Sequence, residues 1–246
     1  NEEWNQTFGG SSDDYGRSVE QTSDGGYIIT GYWYGGNGMA DVWLIKIDSQ
    51  GIEEWNQTFG GSIWDEGRSV EQTSDGGYII TGSTQSFGNG RTDVWLIKTD
   101  SLGNEEWNQT FGEIDNDEAW SVQQTSDDGY IITGYVELFG NDRYDVWLIK
   151  TDSNGIEQWN QTFGSASNTD WGRSVEQTSD GGYIIAGFTD SFGNGESDVW
   201  LIKTDSQGIE EWSQTFGGSG QDYGRSVEQT SDGGYIITGH TYSFGN

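Results

Sequence analysis

Short apolar runs alternate with polar turns along the whole chain, and the spacing within each run is that of β-strands. In the first copy of the pattern, strands are predicted at Ser18–Thr22, which is half polar, at Tyr27–Gly31, at 41–46 and around Trp55. Turns rich in Ser, Asp and Gly separate these segments, as expected between strands. The 3.6-residue apolar rhythm of helices is absent. The pattern therefore predicts an all-β fold.

One sequence unit of about 52 residues is repeated almost five times. Tryptophans mark the period, recurring 51 to 53 residues apart at Trp4, Trp55, Trp107, Trp159 and Trp212. Such a period with strand-type sequence is typical of β-propellers, in which each repeat forms one four-stranded blade. The units start near residues 1, 52, 104, 156 and 209. We expect a single domain over residues 1–246, a five-bladed β-propeller.

The segment DVWLIK carries apolar side chains on both faces of its predicted strand. It begins at Asp41, Asp93, Asp145 and Asp198. A strand that is apolar on both faces must be covered on both faces. Blades stacked face to face around an axis provide that cover, so this segment favours the propeller interpretation.

The turn between the first and second strands reads Ser-Asp-Gly-Gly, as at Ser23–Gly26. In the third copy Asp128 replaces the first glycine, whereas Gly129 keeps the second. We therefore expect the second position to adopt the positive φ that glycine permits.

The runs DGGYIITG, DVWLIKTDSxG and EEWNQTFGG resemble the repeats of secreted archaeal and bacterial β-propeller proteins. These belong to the broad group that includes PQQ-like and Kelch-like propellers, and the resemblance covers essentially the whole chain. It implies the propeller fold and an extracellular or cell-surface location. It implies no particular role, because such propellers serve many functions. No residues match a quinone-binding or dehydrogenase site.

Five complete units would need 14 more residues than the chain has, the length of one DVWLIK strand and its turn. The fifth repeat is therefore expected to lack one strand. If EEWNQTFGG is the outermost strand of its blade, the gap is internal and leaves unpaired backbone groups; if it is innermost, only an outer edge is missing. Three explanations are open: a fragment of a longer array, a three-stranded last blade, or a strand donated by another molecule.

The chain is strongly acidic, with 41 Asp and Glu residues, 10 Lys and Arg residues and a net charge of −31. A field of this sign repels nucleic-acid phosphates and anionic lipids, and it also serves solubility in a salty or hot medium. No segment is long and apolar enough for a membrane-spanning helix. We expect no nucleic-acid partner and no membrane insertion. The expected partners are other copies of the chain, or cell-surface proteins and glycans.

An aspartate recurs just before each predicted first strand, at Asp14, Asp65, Asp117, Asp170 and Asp222. Carboxylate oxygens at this density suit Ca²⁺, so these residues are candidate metal ligands. The alternative is structural, because aspartate commonly accepts backbone hydrogen bonds within its own turn. No cofactor other than Ca²⁺ is indicated.

An aromatic residue lies in or near each of the same turns, at Tyr15, Trp64, Trp120, Trp171 and Tyr223. Exposed Trp and Tyr rings stack on sugars, so these residues are candidate ligand-binding groups of a lectin-like propeller. The alternative is that the rings pack between blades, as core aromatics do. Their position relative to the recurring aspartate varies, which weakens the lectin interpretation.

Asn-Gln-Thr, the acceptor pattern for N-glycosylation, recurs at Asn5, Asn56, Asn108 and Asn160. Asn and Thr on the outward face of a strand would explain the same pattern without sugar.

An arginine and a glutamate also recur together, as at Arg17 and Glu20, and the third copy replaces both, with Trp120 and Gln123. The joint loss of both charges predicts that they pair in the fold, with pairing between neighbouring blades as one option.

Catalytic chemistry is poorly represented. His240 is the sole histidine, cysteine is absent, and every lysine occupies the same position of DVWLIK. Active sites need an asymmetric set of groups, which near-identical repeats do not supply. We therefore expect a non-enzymatic module for binding, adhesion or surface assembly. The alternatives are a filament or sheath subunit joined by strand complementation, and a glycan-binding propeller.

Overall fold

The computed structural model describes residues 4–35, 39–138, 143–165 and 168–243. Within these ranges the regular elements are β-strands, so no helix long and apolar enough to cross a bilayer occurs there. The strands form antiparallel sheets of four, four, four, four and two strands. The all-β prediction and the four-stranded repeat are confirmed.

The sheets follow one another along the chain. Sheet 1 contains β1 (Asp14–Gln21), β2 (Tyr27–Tyr34), β3 (Ala40–Ile47) and β4 (Glu53–Phe59). Sheet 2 contains β5 (Asp65–Gln72), β6 (Tyr78–Thr84), β7 (Asp93–Thr99) and β8 (Glu105–Phe111). Sheet 3 contains β9 (Asp117–Gln124), β10 (Tyr130–Glu137), β11 (Tyr144–Thr151) and β12 (Glu157–Phe163). Sheet 4 contains β13 (Asp170–Gln177), β14 (Tyr183–Thr189), β15 (Asp198–Thr204) and β16 (Glu210–Phe216). Sheet 5 contains β17 (Asp222–Gln229) and β18 (Tyr235–Thr241).

Two compact units divide the chain. The first, Asn1–Ile114, holds sheets 1 and 2, and the second, Asp115–Asn246, holds sheets 3, 4 and 5. In every complete sheet the strands lie side by side in chain order. The SVEQT and EEWNQTF segments therefore form opposite edges, and the EEWNQTF edge is largely exposed and polar.

Each first strand is longer than predicted and contains a β-bulge. In sheet 1 the pairing skips Arg17, between the pairs Gly16–Gly31 and Ser18–Thr30. Sheets 2, 4 and 5 bulge at the corresponding arginine, and sheet 3 bulges at Trp120. A Cβ on Gly31 would collide with the Tyr15 carbonyl, so glycine is needed where the bulged strand approaches.

Neighbouring sheets within a unit pack face to face. Phe59 and Leu44 of sheet 1 share one apolar cluster with Tyr78 and Trp95 of sheet 2. Sheet 4 is covered on both faces, because Ile185 packs in a cluster with sheet 3 while its neighbour Ile184 packs in a cluster with sheet 5. This confirms, for sheet 4, the double cover that its apolar pattern predicts.

Polar bonds join the first strands of neighbouring sheets. The backbone N–H of Gln72 donates to the Glu20 carboxylate at 2.7 Å, and the Ser23 N–H donates to the Gln72 side-chain carbonyl at 2.7 Å. The same reciprocal pair joins sheet 3 to sheet 4 and sheet 4 to sheet 5. Within each unit, neighbouring sheets are therefore fixed in register by hydrogen bonds as well as by apolar packing.

A buried lysine ties three segments of each complete sheet together. In sheet 2, Lys98 Nζ lies 2.9 Å from Asp75 in the first turn and 2.9 Å from Glu106 on the edge strand. It also donates to the Thr99 carbonyl at 2.9 Å. Sheets 1, 3 and 4 repeat the arrangement through Lys46, Lys150 and Lys203, with Gln158 in place of the glutamate in sheet 3.

These ties shift the ionisation of their members. Burial raises the pKa of Asp75, but hydrogen bonds from Thr73, Gly77 and Lys98 outweigh it and hold the pKa at about 2. Burial likewise lowers the pKa of Lys46, yet its bonds to Glu54 and Asp24 leave that pKa raised overall. The charged forms of both partners are therefore the stable ones at neutral pH.

In the turn between the first and second strands, the prediction that the second glycine position adopts positive φ is wrong. Positive φ occurs at the first of the two positions, as at Gly76, and Asp128 adopts it with a φ of 64°. The second position requires glycine for a different reason. A Cβ on Gly77 would collide with the Thr99 carbonyl oxygen and stand 2.6 Å from Lys98 Nζ. The third copy therefore kept the glycine that makes room for the lysine tie.

We expect Gly77→Ala to destabilise the fold by about 3 kcal/mol, because the new Cβ forces the lysine tie apart. Gly76→Asp is the matched control, since nothing lies within 4 Å of its Cβ and Asp128 occupies the same place in sheet 3. It should cost about 1 kcal/mol. Urea unfolding measures both, and a larger loss for Gly76→Asp would contradict the assignment of the two roles.

Candidate functional site

The two ends of each sheet differ in how much their sequence varies. At one end, here the constant end, the turns of residues 22–26 and 48–52 have close counterparts in the other repeats. At the opposite end, here the variable end, each first strand begins and each second strand ends. The loops that lead into the first strands there read GGSSD, GGSIW, GEIDN, GSASNT and GGSGQ. Variation between repeats is thus concentrated at one end of each sheet.

The five predicted metal ligands all begin a first strand at the variable end. Asp65 accepts hydrogen bonds from the Gly61 N–H at 2.8 Å, from the Ser86 hydroxyl at 2.7 Å and from the Thr84 hydroxyl. Asp170 and Asp222 are bonded in the same way by their own loops. Asp14 accepts hydrogen bonds from the backbone N–H groups of Gly10 and Tyr34, and Asp117 accepts one from the backbone N–H of Glu137.

These bonds give the aspartates the structural role that was the alternative to metal binding. Among the described residues, no group of three or more His, Asp or Glu side chains is placed to hold a metal ion. A Ca²⁺ site at these positions stays a prediction.

Three of these aspartates face a second carboxylate, which the sequence did not indicate. The aspartate at or next to the start of the third strand of the preceding sheet lies beside each of them: Asp41 beside Asp65, Asp145 beside Asp170, and Asp198 beside Asp222. In the last pair, one oxygen of each residue lies within 2.6 Å of the point where a Cβ of Gly217 would stand. A Cβ at Gly217 would therefore have to displace both carboxylates.

Burial and mutual repulsion act on these pairs. Burial raises the pKa of Asp145, and the Asp170 charge raises it further, to about 6. Burial also raises the pKa of Asp41, with the Asp65 charge adding to the effect. One oxygen of Asp41 and one of Asp198 are buried without a hydrogen-bond partner. Keeping these paired carboxylates ionised in the folded state therefore costs free energy of folding.

In the first unit, the predicted ligand-binding aromatics stack on other rings. Tyr15 stacks on Tyr32 at 4.8 Å, and Trp64 of the next sheet lies 5.5 Å from both Tyr32 and Tyr34. Arg17 lies over Tyr32 at 5.3 Å. Tyr15 is 44% exposed and is the one predicted aromatic with a largely open face.

In the second unit, the predicted aromatics form a continuous stack across sheets 3, 4 and 5. Arg173 lies between Trp120, at 3.5 Å, and Trp171, at 4.5 Å. Phe188 then contacts Trp171 at 5.4 Å and Tyr223 at 4.7 Å. These rings contribute to sheet-to-sheet packing, the alternative to sugar stacking. Ligand binding by them stays a prediction.

In sheet 1 the recurring arginine and glutamate, Arg17 and Glu20, do not pair with each other. Arg17 forms its ion pair with Glu66 of sheet 2 at 2.9 Å, whereas Glu20 accepts the backbone N–H of Gln72. Gln123 in sheet 3 accepts the corresponding backbone bond with its side-chain carbonyl. The substitution of glutamate by glutamine therefore kept an acceptor rather than removing half of an ion pair.

Three asparagines of the Asn-Gln-Thr pattern, Asn56, Asn108 and Asn160, occupy the exposed edge strands β4, β8 and β12, whereas Asn5 lies outside the strands. Each accepts a hydrogen bond from a tryptophan indole on the neighbouring strand, as Asn56 does from Trp43 at 3.3 Å. Its amide donates to a glutamate three residues earlier. The amide nitrogen that would carry a glycan is thus engaged within the strand. Use of these sites, and of Asn5, stays a prediction.

The structure adds a set of exposed apolar side chains that the sequence reading missed. They lie in loops at the variable end: Met39, Ile63, Phe87, Ile114, Phe192 and Tyr242. The sequence signal that could have identified them is a single apolar residue inside an otherwise polar loop. Four other exposed residues, Ile52, Leu102, Ile156 and Ile209, occupy one repeated turn at the constant end.

Comparison with known proteins adds little to this picture. No family model and no curated protein matches the chain. Among solved structures, a protein of unknown function from Bacteroides caccae matches with 14% identity over 85% of this chain and a TM-score of 0.48. The chain spans 64% of that protein's length.

The carboxylate pairs make stability depend on pH. Because the folded pKa of Asp145 lies near 6 and the unfolded one near 4, its contribution to stability rises as pH falls from 8 to 5. Asp145→Asn should therefore stabilise the protein at pH 8 by about 2 kcal/mol, and this gain should shrink towards pH 5. Urea unfolding at both pH values measures it.

Asp152→Asn is the control for this experiment. Hydrogen bonds from its own turn, that of the Ile156 N–H first, lower the pKa of Asp152. Its effect should thus be destabilising and constant between pH 8 and pH 5. An Asp145→Asn effect equally constant over that range would contradict the raised pKa.

Proposed function

We propose that the chain is a non-catalytic binding module whose partners contact the variable ends of its sheets. The observation that carries this proposal is that two independent features coincide there: the sequence variation between repeats and the exposed apolar side chains of the loops. Binding groups commonly lie on loops positioned by a rigid scaffold. Here the scaffold is the repeated sheet with its lysine tie, which keeps almost the same sequence in each complete copy.

The finer architecture of the proposal is a five-bladed β-propeller in which each sheet is one blade. Face-to-face packing of neighbouring sheets, with first strands in contact, supports it, as does the 52-residue period. In this arrangement the two strands β17 and β18 belong to the fifth blade.

The charge of −31 limits the partners that such a module accepts. Phosphate backbones and anionic lipid surfaces are repelled, so neither nucleic acid nor membrane insertion belongs to the proposal. Cell-surface proteins, neutral glycans and other copies of the chain remain, and an extracellular or cell-surface location fits these partners. Adhesion and surface assembly are the roles that follow.

Glycan binding is the second candidate, and one residue favours it. Tyr15 presents a largely open ring, held by Tyr32 behind it and flanked by Arg17 at 6.0 Å. A fixed, half-exposed tyrosine beside a hydrogen-bond donor is suited to stacking on a neutral sugar. The other predicted aromatics are more deeply packed, so this candidate is confined to sheet 1.

A non-enzymatic role also fits the positions of the reactive groups. His240 stacks on Tyr223 at 4.9 Å, and the four lysines are buried in their ties. The aspartates of the variable end are bonded to their own loops. These groups contribute to packing and to the loop structure, which supports a structural role for them.

The test compares the two ends of the sheets. Phe87→Ser with Phe192→Ser removes exposed apolar groups at the variable end, and Leu102→Ser with Ile209→Ser removes even more exposed ones at the constant end. The probes are a glycan array and an immobilised cell-envelope preparation of the source organism. We expect the variable-end pair to weaken binding about tenfold and the constant-end pair to leave it unchanged.

Absence of binding to either probe by the unmodified chain would contradict a binding module. Equal losses in both double variants would contradict the assignment to the variable end. Tyr15→Ala tests the second candidate separately, since loss on the glycan array alone would support sugar stacking.

A further inference from the structure

An amide bridge joins a tryptophan to a glutamate in three of the four complete sheets. In sheet 2 the Trp95 indole N–H donates to the Asn108 side-chain carbonyl at 3.1 Å, and the Asn108 amide donates to Glu105 at 2.6 Å. Sheets 1 and 3 contain the same bridge, formed there by Asn56 and Asn160. The asparagine side chain therefore satisfies one donor and one acceptor at the same time.

Sheet 4 keeps the tryptophan and the glutamate of this bridge but not the asparagine. Trp200 and Glu210 occupy the equivalent positions, and Ser213 stands in place of the asparagine. Among the residues that the structure describes, none accepts a hydrogen bond from the Trp200 indole N–H and none donates one to the Glu210 carboxylate. Trp200 is only 4% exposed, and a nearly buried N–H without an acceptor costs free energy. Sheet 4 thus holds a donor and an acceptor that gain from a ligand.

Both groups line one groove between sheets 3 and 4, which belong to the same unit. The groove has a volume of about 490 Å³, within the range of small-molecule sites. Phe163 at the end of β12 lines it from sheet 3, and Ser213 lines it from sheet 4. Phe192, which is 45% exposed, lies against Trp200 with the ring centroids 5.2 Å apart. An exposed aromatic ring therefore adjoins the donor and the acceptor.

We propose that this groove binds an N-acetylated sugar, whose acetamido group takes the place that the asparagine side chain has in the other sheets. The acetamido carbonyl accepts from the Trp200 indole N–H, and the acetamido N–H donates to the Glu210 carboxylate. This inference rests on the proposed binding function and names a ligand class for it, at a site other than Tyr15.

The surroundings of the amide position favour a sugar as the carrier of the amide. The exposed ring of Phe192 suits the apolar C–H face of a pyranose. The side chain of Gln214 also lines the groove and offers a donor and an acceptor to sugar hydroxyls. A neutral ligand is compatible with the net charge of −31, whereas an anionic one is repelled.

Sheet 2 contains the closed counterpart of this site. Phe87 is 43% exposed and lies 5.2 Å from Trp95, as Phe192 lies from Trp200. The edge strands β8 and β16 read EEWNQTF and EEWSQTF, so they differ only at Asn108 and Ser213. The serine is therefore the difference that leaves the sheet 4 bridge open to a ligand.

Four variants test the proposal, each at an exposed position. Ser213→Asn restores the internal bridge and should weaken sugar binding at least tenfold, whereas Ser213→Ala keeps the space and should change affinity less than twofold. Glu210→Ala removes the acceptor and should also weaken binding at least tenfold. Asn108→Ser opens the counterpart in sheet 2 and should raise the stoichiometry from one sugar to two. Circular dichroism verifies that each variant is folded.

The measurement is a titration of the full chain followed by the tryptophan indole N–H resonances in NMR. The probes are N-acetylglucosamine, glucose and the tripeptide Gly-Asn-Gly. We expect N-acetylglucosamine to shift one indole resonance saturably, and the same resonance to move in Ser213→Asn without sugar. Glucose should cause no saturable shift, because it lacks the amide and leaves both protein groups without a partner.

No saturable shift with N-acetylglucosamine, an equal response to glucose, or unchanged binding by Ser213→Asn would each overturn the proposal. Tighter binding of the tripeptide than of the sugar would overturn it in favour of a polypeptide ligand. Failure of the proposed function is a different result, seen as absence of binding to both the cell-envelope preparation and the glycan array. A chain that binds the preparation but not the free sugar would overturn this inference alone.

Discussion

The rest of each complete sheet depends on the ion pairs and hydrogen bonds of the buried lysine in its third strand. An ammonium group cannot be buried without compensation, and in sheet 2 Asp75, Glu106 and the Thr99 carbonyl supply it. These partners belong to the first turn, the edge strand and the third strand itself. The tie therefore fixes the register of strands that are not adjacent, and it dictates the glycine at Gly77. Sheet 5 keeps the turn aspartate Asp232, which there is bonded within its own turn.

Much of the fold could be predicted because the repeat samples the same structure several times. The four strands, their order along the chain and the double cover of the third strand follow from periodicity and apolar pattern. The role of each glycine did not follow, because a single replacement at Asp128 does not tell a glycine needed for its φ from one needed for space. The glutamate of the first strand was misread for a related reason, since Gln123 removes a charge but preserves an acceptor.

The candidate site was less predictable than the fold. The sequence located the recurring aspartates and aromatics, but not whether they face loops, rings or solvent. Asp145 meets Asp170 through the packing of two different sheets, a proximity that no spacing along the chain encodes. The stack around Arg173 similarly combines residues from neighbouring repeats, and its rings are not in equivalent positions. The sequence did show directly that the loops at the variable end differ from repeat to repeat.

The lysine ties have a consequence for the outside of the molecule. The chain has four lysines, and each is only 3% exposed, so their ammonium groups are not available to a partner at the surface. With 41 carboxylates against 10 basic side chains, most of the carboxylates have no basic side chain to balance them. Such a polyanion gathers mobile counterions around itself, and any contact between two copies must release or share part of that ion cloud. The ionic composition of the medium therefore controls how strongly two copies of the molecule repel each other.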